Sequence, residues 1–120
     1  ISNICFSGNA MKERLKRILP EHTFEFVLTS SEYAFRKPHP AMFRIALQKA
    51  GLTADKVWYC GDDFDADVVG SHGVGMFPVL YECREVELFN PVVNENRECD
   101  FEYLHIHEWK EMMDVLRGLE

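Results

Sequence analysis

Four carboxylates fall within six residues in Gly61-Asp62-Asp63-Phe64-Asp65-Ala66-Asp67, directly after the apolar run Val57-Trp58-Tyr59-Cys60. An apolar run that stops at a glycine and then turns acidic reads as a buried strand delivering side chains to its carboxyl end. That is where open α/β sheets place their ligands. A tight turn at Gly61 lets Asp62 and Asp67 reach one small volume. Paired carboxylates repel unless a cation compensates them. A hard, oxygen-binding ion such as Mg²⁺ is the natural one, keeping several waters. Asp62 is the first candidate ligand, Asp67 the second, directly or from behind the ligand shell, and Asp63 a weaker third. The competing reading is that the aspartates favour a helix N-terminus and face solvent. Asp63 or Asp65 is expected to cap the helix that follows.

A second constellation is Arg36-Lys37-Pro38-His39-Pro40. Two prolines stiffen the backbone around His39. Lys37 can then be held over the sheet edge, where it would balance the carboxylates and meet a transferring phosphoryl group. A solvated loop lysine is the alternative, and His39 is expected to cap a helix rather than do chemistry. Ser2 reads as ending the first strand on the same edge, where a hydroxyl and adjacent backbone N–H groups can receive phosphate oxygens. Serine, lysine and an aspartate pair thus fall at three successive strand ends.

Other signals in the sequence are weaker. His105-Ile106-His107 is read with its two rings diverging, so zinc is not expected there, even with Cys99 near in sequence. His72 has no evident acid partner. Neither a G-x-G-x-x-G nor a P-loop lysine motif occurs.

The elements that must position these groups follow from periodicity. Ile1 to Phe6 reads as a short strand. Met11, Leu15, Ile18 and Leu19 mark a helix from about Asn9, ended by Pro20. Phe24 to Leu28 is β-rich and reads as a central or near-central strand. Pro40 opens a helix through Ala41, Met42, Ile45, Ala46 and Leu47, stopped by Gly51. The strand before Asp62 comes next, then a helix with Val68 and Val69. Gly75 to Tyr81 reads as a strand that Pro78 places at an edge or ends early. Glu82 to Cys99 is expected to be loop with one helical turn. Phe101 to Ile106 is a short strand. Trp109, Met112, Met113, Leu116 and Leu119 form a terminal amphipathic helix. Strands alternating with helices predict an α/β fold, a doubly wound parallel sheet covered on both faces.

Composition narrows the partners. A formal net charge of -7 over 120 residues argues against nucleic acid and anionic membrane surfaces. A small phosphorylated substrate stays compatible, because a site can be locally positive. Four cysteines without a C-x-x-C pair suit a reducing compartment, and a cytoplasmic location is expected. Cys60 reads as a small buried thiol. No stretch reaches membrane-spanning length, and no signal peptide is read at the start.

With these residues in place, the chain resembles the haloacid-dehalogenase-like hydrolase superfamily over nearly its whole length. Ile1-Ser2-Asn3 resembles the family's second motif, which implies phosphate binding by Ser2 and Asn3. Arg36-Lys37-Pro38-His39-Pro40 resembles the third, with Lys37 as its phosphate-contacting catalytic lysine; the family often has Asp where His39 stands. Gly61 to Asp67 matches the fourth, G-D-x-x-x-x-D. That implies Asp62 as a Mg²⁺ ligand and Asp67 as a catalytic group assisting the metal or its waters.

The family's first motif, D-x-D-x-T/V, supplies nucleophile and acid/base, and it is not found ahead of Ser2. Nor is the cap that follows it. Residues 1–120 are therefore expected to be a partial core domain, a Rossmann-like sheet incomplete at its N-terminus. A missing N-terminal segment or a second chain would complete it. Without that piece a sheet slot would be unpaired, and the isolated chain is expected to be poorly soluble or partly unfolded.

The resemblance implies a hydrolase. The expected activity is Mg²⁺-dependent phosphatase action on a small phosphomonoester through an aspartyl-phosphate. Enzymatic activity of the chain by itself is left open, because the nucleophilic aspartate is not among its residues. Dehalogenation is disfavoured, since that branch works without metal, whereas a phosphomutase remains open. The alternative is a degenerate or truncated member serving as a non-catalytic binding or assembly subunit. A receiver domain is disfavoured because its acidic pair comes first and its lysine last.

Overall fold

The computed structural model describes residues 1–83 and 97–119. The helical turn expected between Glu82 and Cys99 falls mostly outside the described residues. Strands β1 (Trp58–Gly61), β2 (Phe77–Tyr81) and β3 (Leu104–Ile106) form one sheet in the order β1-β2-β3. Both pairings are parallel, with Cys60 beside Val79 and Tyr81 beside Ile106. All three carboxyl ends therefore lie at one edge of the sheet.

The helices start and stop where local chemistry dictates. Helix α1 (Gly8–Ile18) is capped by the Ser7 hydroxyl, which accepts from the Ala10 amide at 3.3 Å. Its first amide, Gly8 N–H, also donates to the Glu32 carboxylate at 2.8 Å. Helix α2 (Pro40–Ala50) has Pro40 in its first turn and His39 Nδ1 accepting from the Ala41 amide at 3.2 Å. It ends at Gly51, whose φ of 66° is the left-handed conformation that a Cβ disfavours. A π-helical segment, Phe64–Val69, runs straight into the short α3 (Gly70–His72) between β1 and β2. Helix α4 (Trp109–Gly118) follows β3.

Both faces of the sheet are covered, as strand alternation requires. Tyr59 meets Phe43 of α2 edge-on, with ring centroids 5.0 Å apart. Cys60, on the opposite face, has its Sγ 3.8 Å from Met112 Sδ of α4. Leu28, Met42 and Ala46 form one buried cluster, and Phe64, Val68 and Leu80 a second against Phe101 and Tyr103. Among the described residues, no helix is long and apolar enough to cross a membrane.

Two expectations are corrected. The segments read as strands at Ile1–Phe6 and Phe24–Leu28 meet only in a parallel bridge between Ser2 and Thr29. Ser2 donates to Leu28 O and accepts from Ser30 N. The ladder then stops, because the Ile4 amide turns to the Ser30 hydroxyl at 3.2 Å instead of a backbone carbonyl. Pro78 lies in the central strand, not at an edge. Phe77 N–H donates toward β1, so the side of Pro78 that lacks an N–H faces β3. Pairing with β3 begins only at Val79, so the proline interrupts no ladder bond.

Phe43 is fully buried, and its ring contacts both β1 and the backbone at Gly70. Phe43→Ala should cost about 3–5 kcal/mol, read as a fall in the urea midpoint at unchanged m-value.

Candidate active site

The Asp67 carboxylate is the most constrained polar group at the sheet's carboxyl edge. Its residue is 2% exposed. Burying an ionised carboxylate is costly unless its lone pairs are satisfied. Here Oδ2 accepts from the Asp62 and Asp63 amides, both at 3.1 Å. Oδ1 accepts from Lys37 Nζ in a direct ion pair and from the Tyr59 hydroxyl at 3.4 Å. The local sequence makes this geometry. The chain leaves β1 at Gly61, and the π-helical turn carries Asp67 back over the strand end. A Cβ on Gly61 would lie 2.2 Å from Asp67 Cγ and 2.4 Å from its Cβ. Only glycine permits this approach.

Lys37 is placed from two sides. Asn3 clasps its main chain, donating through Nδ2 to Lys37 O at 2.9 Å and accepting through Oδ1 from Lys37 N at 2.8 Å. The Lys37–Pro38 peptide is cis. The ammonium lies 5.8 Å from the Tyr59 ring centroid, and the side chain is 11% exposed. The three expected strand ends are thereby joined: Ser2-Asn3 to Lys37 through Asn3, and Lys37 to the Asp62–Asp67 turn through Asp67.

The predicted residues divide by role. Asp62 is exposed at the end of β1, where its carboxylate could hold a cation from solvent. Asp67 already accepts four donors, two of them amides of the turn that carries Asp62. Asp63 caps the π-helical turn, its Oδ1 accepting from the Ala66 amide at 2.8 Å. Asp65 is exposed and pairs with Arg97 at 3.1 Å. The Asn3 side chain is occupied by Lys37, so any phosphate contact from this residue would come from its backbone.

Two positions escaped the sequence reading. Tyr59 was absorbed into the apolar run, although its two-residue spacing from Gly61 puts both on one strand face, beneath Asp67. Gly61 was read only as a turn. Burial, then the Asp67 charge and hydrogen bond, holds the Tyr59 hydroxyl far above the ordinary tyrosine range. Cys60 is half-buried rather than fully buried as expected, and that partial burial pushes its thiol up, which disfavours the reactive thiolate.

The reading of His105 and His107 is corrected. Residues two apart on a strand share a face, and their ring centroids lie 4.7 Å apart.

Gly61→Ala should displace Asp67 and strand a buried charge, a loss of about 3–5 kcal/mol in urea unfolding. Tyr59 should be the last of the four tyrosines to ionise in a near-UV phenolate titration. Because its folded pKa is raised, its contribution to stability is complete below about pH 10. Above that the unfolded chain ionises first and the contribution falls. Folded tyrosines titrating together would contradict this placement.

Comparison with known proteins places this arrangement. The model for haloacid dehalogenase-like hydrolases matches residues 7–80. Glyceraldehyde 3-phosphate phosphatase from Methanopyrus kandleri is 33% identical, over 94% of this chain and 48% of its own length. Ribulose-1,5-bisphosphate 5-phosphatase from Halopiger xanaduensis is 33% identical over 60% of this chain and 30% of its own. A HAD phosphatase structure from Thermococcus onnurineus shares the fold at TM-score 0.70 and 23% identity, covering 94% of this chain and 47% of that one. The chain spans about half the length of the first of these relatives or less. On the family match and the shared fold, the chain belongs to the haloacid dehalogenase-like hydrolases.

Proposed function

We propose that this chain contributes the phosphate- and metal-binding half of a phosphatase core acting on small phosphomonoesters. The observation that carries the proposal is the Lys37–Asp67 pair, locked to the Asp62 and Asp63 amides at the carboxyl end of β1. The donor chemistry fits a hard cation such as Mg²⁺. Asp62 offers an exposed carboxylate, and Asp67 orients the turn that presents it. When bound, the ion would supply charge neutralisation for phosphate oxygens.

The chain's own residues would then divide the work. Lys37, aimed by Asn3 and Asp67, stabilises negative charge on the transferring phosphoryl group. Ser2 and the Asn3 backbone receive its oxygens. The nucleophilic carboxylate comes from a D-x-D segment on another part of the protein or on a second chain. It would sit beside β1, which within the described sheet pairs only with β2. In that arrangement residues 1–120 are one part of a larger core domain, with its substrate-selecting cap elsewhere. The nucleophile attacks phosphorus, and the ester oxygen leaves with a proton from the second carboxyl group of the D-x-D segment. Water, giving its proton back to that group, then cleaves the acyl-phosphate to release inorganic phosphate. The relatives named for glyceraldehyde 3-phosphate and ribulose 1,5-bisphosphate make small phosphorylated sugars the first substrates to try. The free thiols at Cys5, Cys60, Cys83 and Cys99 accord with a cytoplasmic setting.

The test is Mg²⁺-dependent hydrolysis of such esters by the protein carrying a D-x-D segment. Asp62→Asn and Lys37→Met should each lower kcat by about 10²-fold or more. Near-normal turnover by Asp62→Asn at saturating Mg²⁺ would overturn its assignment. Absence of turnover in every species, single-chain or assembled, would favour a non-catalytic binding role.

A further inference from the structure

We infer a second metal site, for one zinc-class divalent ion, formed by Glu82, His105 and His107. One donor atom from each residue lies within 4.8 Å of the other two. A tetrahedral ion with bonds of about 2.0–2.2 Å sets its donors about 3.3 Å apart. Small side-chain rotations therefore bring the three to bonding distance. Two imidazoles and a carboxylate suit zinc rather than Mg²⁺, which prefers oxygen donors.

The hydrogen bonding already orients the ligands. His107 Nδ1 lies 2.8 Å from the backbone oxygen of Glu82. A carbonyl only accepts, so Nδ1 carries the proton and the neutral ring has its lone pair on Nε2. Metal-ligating histidines are commonly fixed in this way. His105 Nε2 lies 2.8 Å from Glu82 Oε2; the carboxylate accepts, so Nε2 carries the proton in this contact, and an ion bound between the two would displace it. On its own such a partly exposed histidine–carboxylate contact is worth little. The third group, His107, converges on the same residue and changes its meaning.

The backbone beneath the cluster is also fixed. Glu82 extends the β2–β3 ladder, its amide donating to Ile106 O at 2.9 Å. His105 lies within β3. The His107 and Glu108 amides both donate to Glu111 Oε1 of α4, at 3.4 and 3.2 Å. A bound ion would thus tie the end of β2 to the β3–α4 junction. Three protein ligands leave a fourth position for water or another group.

The full chain should be titrated with Zn²⁺ by calorimetry and with Co²⁺ by visible absorption. The expected result is one ion per chain, with Co²⁺ bands of tetrahedral intensity and an upward Tm shift with Zn²⁺. His105→Gln and His107→Gln should each weaken binding at least about tenfold, and the double variant should lose the Tm shift. Equal metal-free melts of the double variant and the parent separate ligand loss from misfolding. Asp62→Asn and Cys83→Ser should leave Zn²⁺ binding in place. No binding by the parent overturns the inference. So does binding unchanged in the double variant, or abolished by Asp62→Asn or Cys83→Ser.

Discussion

The structure at the sheet edge depends on keeping one carboxylate charged out of water. Asp67 can be buried only because backbone amides and side-chain donors reach both its oxygens. That requirement propagates outward. Gly61 must lack a Cβ, so that Asp67 can sit against the strand end. Lys37 must be delivered from a different loop, and the Asn3 clasp delivers it. Tyr59 must face Asp67 rather than fill the core as a phenylalanine could. One buried charge thereby fixes four segments of chain relative to one another.

This arrangement also holds a lysine ammonium at the sheet edge of a protein whose net charge is -7. The Asp67 charge is taken up by Lys37 and the amides of the turn. Its two amide bonds hold the backbone that carries Asp62, so the exposed carboxylate is presented from a rigid support. Sequence alone leaves Asp67 open between a direct ligand and a support behind Asp62. The donors on Asp67 give them different tasks.

The second cluster follows from the same topology. Parallel pairing points every strand's carboxyl end the same way, so groups that follow β1, β2 and β3 share an edge. Glu82, just past β2, meets His105 and His107 at the end of β3 although they are 23 and 25 residues away. A parallel sheet collects chemistry from distant sequence at one rim, and here it collects the Asp67 network and the Glu82–His105–His107 cluster.

Local pattern made much of this legible. Helix limits follow capping chemistry: Ser7, His39 with Pro40, and Gly51 each act through bonds within a turn or two of their own position. The apolar run into Gly61 and its acidic continuation marked the strand end for the same reason. What local pattern could not decide was partnership. Whether Ile1–Phe6 forms a strand depends on Ser30 capturing the Ile4 amide. The tolerance of Pro78 depends on where β3 begins, and the histidine cluster depends on strand register. Residue types and spacing determined which groups this chain could use and at which ends of its elements they lie. Tertiary structure alone decided which of them meet, because donor satisfaction around a buried charge is a property of packed neighbours from distant parts of the chain.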